Sequence, residues 1–206
     1  MAKQRACLVA LTVAITAMVV TSVSAQDTPK RKASSSTTDW PRFRGPNGEG
    51  VSHAMTVPVK WDAGDYNWIT QLPGRGHGSP VVVGERIYVV CGQKRTAERI
   101  VVCVAVGSGK VLWKRTFSSK KHRLHGSNSY GSSTPAADST GVVVTWADPG
   151  KLVLMALDHT GKTTWERDFG PHTAINGAGT SPIIVDDLVV LTNVQMDPNF
   201  MIRLGV

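Results

Sequence analysis

The densest set of side chains able to bind a ligand lies at residues 120–130, which read Lys-Lys-His-Arg-Leu-His-Gly-Ser-Asn-Ser-Tyr. Imidazole, guanidinium, amide and phenol groups donate hydrogen bonds to carboxylates, phosphates and sugar hydroxyls. The segment therefore predicts a surface for an acidic or sugar ligand, and the alternative interpretation is a solvated connecting loop. The residues of this predicted ligand surface are His122, Arg123, His125, Asn128 and Tyr130.

Metal binding is a weaker interpretation of the same segment. His122 and His125 are three residues apart, but no carboxylate accompanies them, whereas metal sites combine three or four ligands. His77 and His172 precede two predicted strands, and there we expect them to form hydrogen bonds that pin the crossings between repeat units. These patterns predict no metal ligand, no cofactor-binding residue and no catalytic residue.

Two cysteines remain once the N-terminal segment with Cys7 is set aside. Cys91 and Cys103 each end a β-type run, and a polar turn separates the two runs. If the runs pair as one hairpin, the thiols could face each other and form a disulfide in an oxidising compartment. Two buried free thiols that act as small apolar side chains are the alternative. Their spacing matches no zinc motif.

A three-part sequence motif recurs along the chain and defines its repeat unit. Each copy opens on a small residue followed by Pro80, Pro135 or Pro182 and leads into a β-rich run, and two copies close on Gly-Lys-x-x-Trp at Trp113 and Trp165. The prolines lie 55 and 47 residues apart, and the two tryptophans lie 52 apart. A period of this size, filled with short strands, indicates a β-propeller or a related array.

Short strands account for most of each repeat. Apolar runs separated by polar turns predict four antiparallel strands per unit, and no segment beyond the N-terminus shows a helical period. The predicted fold class is all-β, a β-propeller of four-stranded antiparallel blades. The predicted strands are residues 80–83, 86–91, 100–105 and 111–116, then 134–137, 142–147, 151–157 and 163–169, and finally 187–194.

The first 25 residues have the pattern of a signal peptide. Lys3 and Arg5 form a positive n-region, residues 6–20 are apolar apart from two threonines, and Val23-Ser24-Ala25 offers a cleavage site. A retained membrane anchor is the alternative, because the apolar run approaches spanning length. Residues 26–38 are basic and rich in Ser and Thr, and they predict a disordered linker. We therefore expect an exported protein, periplasmic or extracellular, with no stable membrane span after cleavage.

The balance of charge is basic. The formal net charge of +8 falls to +6 once the two cations of the signal peptide are removed. No nucleic-acid-binding motif accompanies these basic residues, and an exported protein meets little nucleic acid, so we predict no nucleic-acid partner. Instead, the basic segment near residue 120 is expected to face an acidic polymer or an envelope surface.

The Gly-Lys-x-x-Trp closings, preceded in one copy by Ala156-Leu157-Asp158, resemble the tryptophan-docking repeats of the pyrroloquinoline-quinone (PQQ) propeller superfamily. The second copy is one residue shorter than the family pattern, and the first has Ala105 at the acidic position. The resemblance covers roughly residues 39–204. It implies that the Trp of each outer strand stacks against the neighbouring blade, which gives structural docking roles to Trp113, Trp165 and Trp68.

Length limits how much of a propeller this sequence forms. Propellers have about 4–8 blades, whereas residues 79–117, 134–169 and 181–206 predict two full blades and a partial third. Residues 66–72 predict a lone N-terminal closing strand. We expect residues 39–206 to be an incomplete propeller, the N-terminal fragment of a longer one, and the alternative is an open array that a partner completes.

Three functions are compatible with these features. The first is an exported, non-catalytic binding or scaffold module for a protein or glycan partner in the cell envelope. The others are a fragment of a PQQ-dependent quinoprotein dehydrogenase and the propeller domain of a larger extracytoplasmic enzyme. For the dehydrogenases the resemblance implies PQQ with calcium, an adjacent Cys pair and a Trp floor. This chain has no adjacent Cys pair, so we expect the first function and predict no cofactor.

Overall fold

A computed structural model of the chain describes residues 39–54, 57–174, 176–195 and 200–205. The signal peptide and the linker predicted at residues 1–38 lie outside the described residues. The regular structure is β-sheet together with one turn of 3-10 helix, Ala63–Asp65. No helix in the described ranges is long and apolar enough to cross a membrane.

Three antiparallel sheets contain the strands, and strands that follow each other in sequence are neighbours in each sheet. Short β-branched runs joined by tight turns favour this local pairing. Blade 1 comprises β1 (Val81–Val83), β2 (Arg86–Gly92), β3 (Arg99–Ala105) and β4 (Val111–Phe117). Blade 2 comprises β5 (Ala136–Asp138), β6 (Gly141–Asp148), β7 (Lys151–Asp158) and β8 (Thr163–Asp168). Blade 3 has three described strands, β9 (Ile183–Val185), β10 (Leu188–Asn193) and β11 (Phe200–Gly205).

The predicted all-β fold of antiparallel blades is confirmed, but the closing strand predicted at residues 66–72 is wrong. This segment has no strand structure. Side chains join it to blade 1, since Trp68 Nε1 donates to Val106 O at 2.8 Å and Thr70 Oγ1 donates to Gly109 O at 2.5 Å. A strand is defined by a backbone ladder with a neighbour, and the described residues supply no such neighbour to this segment.

The core lies between blades, and blade 2 is buried on both faces. Successive side chains of a strand point to opposite faces, and β6 uses both. Val142 and Val144 pack against blade 1, whereas Val143 and Ala147 pack against blade 3. A third cluster covers the far face of blade 1 beneath Trp68 and Leu72, and its buried members are Cys91, Ile100, Val102 and Val104.

The two cysteines lie on opposite faces of blade 1. Cys103 is opposite Tyr88 in the ladder and Cys91 is opposite Ile100, so the two thiols are three positions apart and point away from each other. Both are buried and free. The disulfide that the sequence left open is therefore excluded by the register of the hairpin, and the alternative of two buried thiols is confirmed.

The repeated small-residue and Pro steps join one blade to the next. Ser79 N donates to Thr134 Oγ1 at 2.9 Å, and Thr134 N donates to Ser181 Oγ at 2.9 Å. These three residues occupy the same position in the repeat, each directly before its proline. The hydroxyl of each copy therefore satisfies the backbone amide of the preceding copy, which would otherwise be buried without an acceptor. This explains why a hydroxyl recurs at this position.

Trp113 of the outer strand β4, and Trp68 before blade 1, each contact the turn that follows the third strand of the next unit. Trp113 Nε1 donates to His159 O at 2.8 Å, and its ring covers Gly161 so closely that a Cβ there would lie 2.8 Å from Cδ2. Trp68 covers Gly109 in the same way. A β-bulge immediately before Trp113 and an equivalent bulge before Trp165 shift the register, and bulges of this kind re-aim side chains.

Candidate basic groove

A groove of about 710 Å³ opens on the side of the molecule where β2 ends and the chain crosses from blade 1 to blade 2. One wall is the segment around Arg75, whose backbone exchanges two hydrogen bonds with Gly92. The other wall is the crossing that includes residues 121–130. His77 N and Gly78 N both donate to Gly131 O, so the two walls are tied together at the base of the groove.

The start of the second wall is anchored to blade 2 by Asp148. Its carboxylate accepts from Lys120 N at 3.0 Å and from Ser119 Oγ at 3.1 Å, and it also accepts from the amides of Gly150 and Lys151. Burial alone would raise the pKa of Asp148, but these hydrogen bonds outweigh it and hold the pKa below its usual range. The carboxylate is thus satisfied internally and holds the crossing in place.

The groove is lined by cations and imidazoles. Among the described residues that line it there is no Asp or Glu. Guanidinium and ammonium groups without a carboxylate neighbour produce a positive potential inside a cleft, so an anionic group is the favoured occupant. The charged and imidazole-bearing residues of the lining are Arg75, His77, Lys94, Lys121, His122 and His125.

His122 and His125 from the predicted ligand surface line this groove with distinct hydrogen-bonding states. His122 Nδ1 lies 3.0 Å from Lys120 O, and because a carbonyl only accepts, Nδ1 donates there. His125 Nδ1 lies 3.2 Å from Ser127 N, an amide that donates to it, so the ring proton of His125 is on Nε2. His125 is exposed and therefore offers an N–H donor to a ligand.

Asn128 and Tyr130 also line the groove, but their polar atoms bond within the protein. Asn128 Nδ2 donates to Asn176 O at 2.6 Å, and its Oδ1 accepts from Ser129 N at 2.7 Å. The Tyr130 hydroxyl donates to His122 O and accepts from His122 N. Tyr130 is 7% exposed. Both side chains belong to the predicted ligand surface, and in the structure they shape the wall that carries the imidazoles.

Arg123 is separated from the rest of the predicted surface. It lines a different pocket, together with Asp148, Pro149 and His172, and of the predicted ligand residues only His122 is shared by the two. Arg123 is not among the residues that line the basic groove, whereas His122 and His125 both are. The five residues predicted from the sequence therefore divide between two surfaces.

Beneath the crossing lies Arg99, which the sequence did not single out. Its side chain is 3% exposed and donates from Nη1 to Tyr130 O at 2.5 Å and from Nη2 to Ala147 O at 2.8 Å. The guanidinium also lies 4.5 Å from the centre of the Tyr130 ring, a cation–π contact. Burial lowers the pKa of Arg99 to about 10, so it remains a cation at neutral pH.

Several residues of the groove could not be predicted from the sequence, because they come from another part of the chain. Arg75 and Lys94 belong to segments that approach residues 120–130 only through the fold. The glycines at 74 and 76 could have indicated this close approach of two backbone segments. A Cβ at Gly74 would lie 2.8 Å from Gly92 O, and a Cβ at Gly76 would lie 2.6 Å from Val90 O. His77 was expected to pin the crossing, and its Nδ1 does lie 3.0 Å from Ser129 Oγ.

The described residues do not fit a PQQ site of the dehydrogenase type. The two cysteines are not adjacent and lie on opposite faces of blade 1. Trp68 and Trp113 cover glycines and donate to backbone carbonyls, while Trp146 packs against Phe117 with ring centres 5.2 Å apart. Within the described ranges, no three His, Cys, Asp or Glu side chains form a group that could hold a metal ion.

Comparisons with known proteins show what this chain is similar to. A family model described as outer membrane protein assembly factor BamB matches residues 97–197. A structure titled europium-containing methanol dehydrogenase has 17% identity and a TM-score of 0.46, with 64% of this chain and 23% of that chain covered. BamB from Moraxella catarrhalis has 18% identity and a TM-score of 0.45, with 68% of this chain and 44% of that chain covered. No curated protein sequence matches the chain significantly.

Antiparallel blades joined by docked tryptophans define a β-propeller-type repeat protein. Residues 97–197 match this family model, and the repeats of the chain resemble those of PQQ-like β-propeller repeat proteins. It spans less than half the length of each of the two solved chains described above.

Proposed function

We propose that this chain is an exported, non-catalytic binding module whose basic groove holds an acidic group of an envelope protein or glycan. The observation that carries the proposal is the lining of the groove. Arg75, Lys94 and Lys121 line the groove together with three imidazoles, and no Asp or Glu is among the described residues of the lining. Charge-assisted hydrogen bonds to a carboxylate or phosphate are the strongest polar contacts that such a surface can form.

Two further features support a role in the cell envelope. The N-terminal 25 residues have the pattern of a signal peptide, which predicts a mature N-terminus near Gln26. The matching family model is described as an outer membrane protein assembly factor, and a scaffold role at an envelope surface agrees with that description. Mass spectrometry of the mature protein tests the export, and an intact Met1 on soluble protein would contradict it.

The groove is tested by neutralising its three long cations together. The variant Arg75→Gln, Lys94→Gln, Lys121→Gln is compared with Lys110→Gln, Lys114→Gln, Lys162→Gln, which removes the same charge from exposed positions outside the groove. The probes are labelled oligogalacturonate, an acidic glycan, and labelled poly-glutamate, an acidic peptide. We expect the groove variant to bind at least one probe about tenfold more weakly, because several charge-assisted contacts are lost.

The control separates specific binding from general attraction. The control variant should lose less than about threefold in affinity, since exposed charges beyond a Debye length are screened by salt. Equal losses in the two variants would show that net charge, and not the groove, attracts the probe. If the unmodified protein binds neither probe, the proposal that the groove holds an acidic glycan or an acidic peptide is contradicted.

A further inference from the structure

Three imidazoles line the basic groove, and their hydrogen bonds to the protein differ in what protonation would do to them. They are His77, His122 and His125. An imidazole ordinarily gains its second proton near about pH 6.5, and both ring nitrogens donate once the ring is charged. The partner of each Nδ1 atom therefore decides whether protonation keeps or breaks a contact with the protein.

His122 can be protonated without losing its contact with the protein. Its Nδ1 atom donates to Lys120 O at 3.0 Å, and the neutral and the charged ring both form this bond. In the neutral ring Nε2 is an acceptor. It makes no hydrogen bond to a described atom and is not among the buried polar atoms without a partner, so it reaches solvent. A proton on Nε2 turns this acceptor into a charged donor.

His125 would lose a contact on protonation. Ser127 N donates to its Nδ1 atom at 3.2 Å, so this contact requires the lone pair of Nδ1. A proton on Nδ1 would oppose two N–H groups and leave the Ser127 amide without this acceptor. His125 therefore contacts a ligand in its neutral form, through the N–H of Nε2.

The partner of His77 accommodates either state of the ring. Its Nδ1 atom lies 3.0 Å from Ser129 Oγ, and a hydroxyl both donates and accepts. Of the three imidazoles, only His125 is thus held to the neutral form by its partner, and only His122 has a carbonyl partner that fixes the proton on Nδ1 and leaves Nε2 for the ligand.

The charged groups around His122 are mostly cationic. In the groove they are Arg75, Lys94 and Lys121, together with the other two imidazoles. The Tyr130 ring lies edge-on to His122 with the ring centres 5.2 Å apart.

Two other cavities lined by His122 contribute Arg99, Arg123, His172 and Asp148. Burial lowers the pKa of His172, and the charge of His122 lowers it further, so these two rings lie close enough to interact. Asp148 is the one carboxylate among the described residues that line these three cavities, and it already accepts from Ser119, Lys120, Gly150 and Lys151. An anionic ligand therefore supplies the negative charge that this set of side chains lacks.

We propose that His122 binds the anionic group of the ligand in its protonated form, whereas His125 binds as a neutral N–H donor. The inference rests on the acidic ligand proposed above for this groove. Binding takes up a proton at His122 Nε2, so the affinity for the ligand rises as the pH falls. The gain comes from a charge-assisted hydrogen bond, which is roughly twice as strong as a neutral one.

The affinity of the full chain for oligogalacturonate and for poly-glutamate is measured from about pH 8 to about pH 6. Carboxylic acids of this kind ionise near about pH 4, so the probes keep their charge over this range. We expect the affinity of the unmodified protein to rise about fivefold or more. His122→Asn retains an amide donor for Lys120 O but takes up no proton, and it should reduce this rise by at least about threefold.

His125→Asn is the matched variant on the same wall. Its amide oxygen can still accept from Ser127 N, but the outward N–H donor is lost, so we expect a similar loss of affinity at every pH. His53→Asn, at an exposed position outside the groove, controls for the general effect of one imidazole on net charge and should leave both the affinity and its pH dependence unchanged.

Nitrogen-15 resonances of the histidine rings report the protonation states directly at about pH 6 with saturating probe. They are assigned by their loss in the two Asn variants. We expect protons on both ring nitrogens of His122 and an unprotonated Nδ1 in His125. If the probe binds and His122→Asn keeps the full rise, or if His125 carries the second proton, this inference is overturned while the acidic ligand of the groove stands. If neither probe binds at any pH, the proposed function fails and this inference fails with it.

Discussion

Arg99 shows how a single residue joins two blades. It starts β3, yet its guanidinium reaches the crossing at Tyr130 O and the end of β6 at Ala147 O. A cation with this burial is rare unless it is hydrogen-bonded. The two carbonyls bind the charge without a carboxylate in direct contact, and the Tyr130 ring covers it. Removing the guanidinium therefore leaves two buried acceptors without donors.

We predict that Arg99→Met lowers the free energy of unfolding by about 2–4 kcal/mol, because unsatisfied buried acceptors cost about 1–3 kcal/mol each. Pulse proteolysis in urea at low protein concentration measures the change. The control is Arg95→Met at an exposed position of the adjacent turn, which should change stability by less than about 0.5 kcal/mol. Similar losses of unfolding free energy for the two substitutions would mean that the hydrogen bonds of Arg99 do not stabilise the fold.

His172 makes stability depend on pH. Burial lowers its pKa in the folded state, opposed in part by the hydrogen bond to Asn193. Above about pH 6.5 the ring is neutral in both states and contributes nothing; below it, the unfolded chain takes up the proton first and is stabilised. We predict that stability falls as the pH drops from about 7.5 to about 5.5 and that His172→Asn reduces this dependence.

The comparison is made on the same urea unfolding curves at each pH. His53→Asn, at an exposed position, controls for the loss of one imidazole. If His172→Asn leaves the pH dependence of the unfolding free energy unchanged, another group accounts for it. His172 precedes blade 3 and its Nδ1 lies 3.1 Å from Asn193 Oδ1 of β10, so the same variant also tests this tertiary contact.

At the scale of elements, the residue before each proline links one blade to the next by a hydrogen bond. Thr134 is 2% exposed, accepts from Ser79 N through its hydroxyl and donates its own amide to Ser181 Oγ. Thr134→Val keeps the shape but removes the acceptor. We predict a loss of about 1–3 kcal/mol, the cost of a buried amide without a partner, measured by urea unfolding.

Thr116→Val is the matched control for that substitution. Thr116 is an exposed residue of β4, where Val has an equal or better strand propensity. Its replacement should leave stability within about 0.5 kcal/mol of the unmodified protein. A loss at Thr116 as large as that at Thr134 would show that the hydroxyl before the proline has no particular role in joining the blades.

The glycine under each docked tryptophan permits a second test between elements. Gly161 has φ +82° and a Cβ there would lie 2.8 Å from the Trp113 ring, whereas Gly170 has φ +84° with no atom within 4 Å. Both Gly→Ala substitutions strain the backbone equally, by about 1 kcal/mol or more. We predict that Gly161→Ala costs at least about 1 kcal/mol more than Gly170→Ala, because the ring must also move.

Equal losses for the two glycines would contradict close docking of Trp113 on the turn. Differential scanning calorimetry of the two variants side by side makes the comparison, since the backbone strain cancels. The same logic extends to Gly109, which lies under Trp68 with φ +68°. Docking at both turns would show that the contact repeats from one unit to the next.

Local elements were predictable from the sequence, whereas contacts between them were not. The strands of blades 1 and 2 follow from β-branched runs and turn residues, which act over a few positions. The face on which Cys91 lies depends on the register with β3, and Tyr130 turns inward because Arg99 and the backbone of His122 bind it. Trp146 could not be interpreted, because its neighbours include Phe117 and other residues of blade 1, which are distant in sequence.

At the scale of the whole molecule, the burial of the two faces of a blade shows whether other blades cover it. Every residue of β6 is buried, since blades 1 and 3 cover it from both sides. Along β10, Val189 and Leu191 are buried against blade 2, whereas Leu188 and Val190 on the opposite face are only half-buried. Within the described residues no other sheet packs on this face, and an exposed apolar sheet face tends to find a partner. We propose that a further blade or a partner surface covers this face of blade 3.

The chain expressed alone should therefore self-associate, and Val190→Lys should weaken that association. A charge on the uncovered face disfavours its burial against a second copy while leaving the core between blades 2 and 3 intact. Sedimentation velocity over a range of concentrations measures the association, and urea unfolding at low concentration measures stability.

Val189→Lys is the matched control one residue away, where the side chain is 0% exposed; it should destabilise the fold. A monodisperse monomer that melts in one sharp transition, with no response to Val190→Lys, would mean that blade 3 needs no neighbour and that the described blades already form a closed unit of another kind.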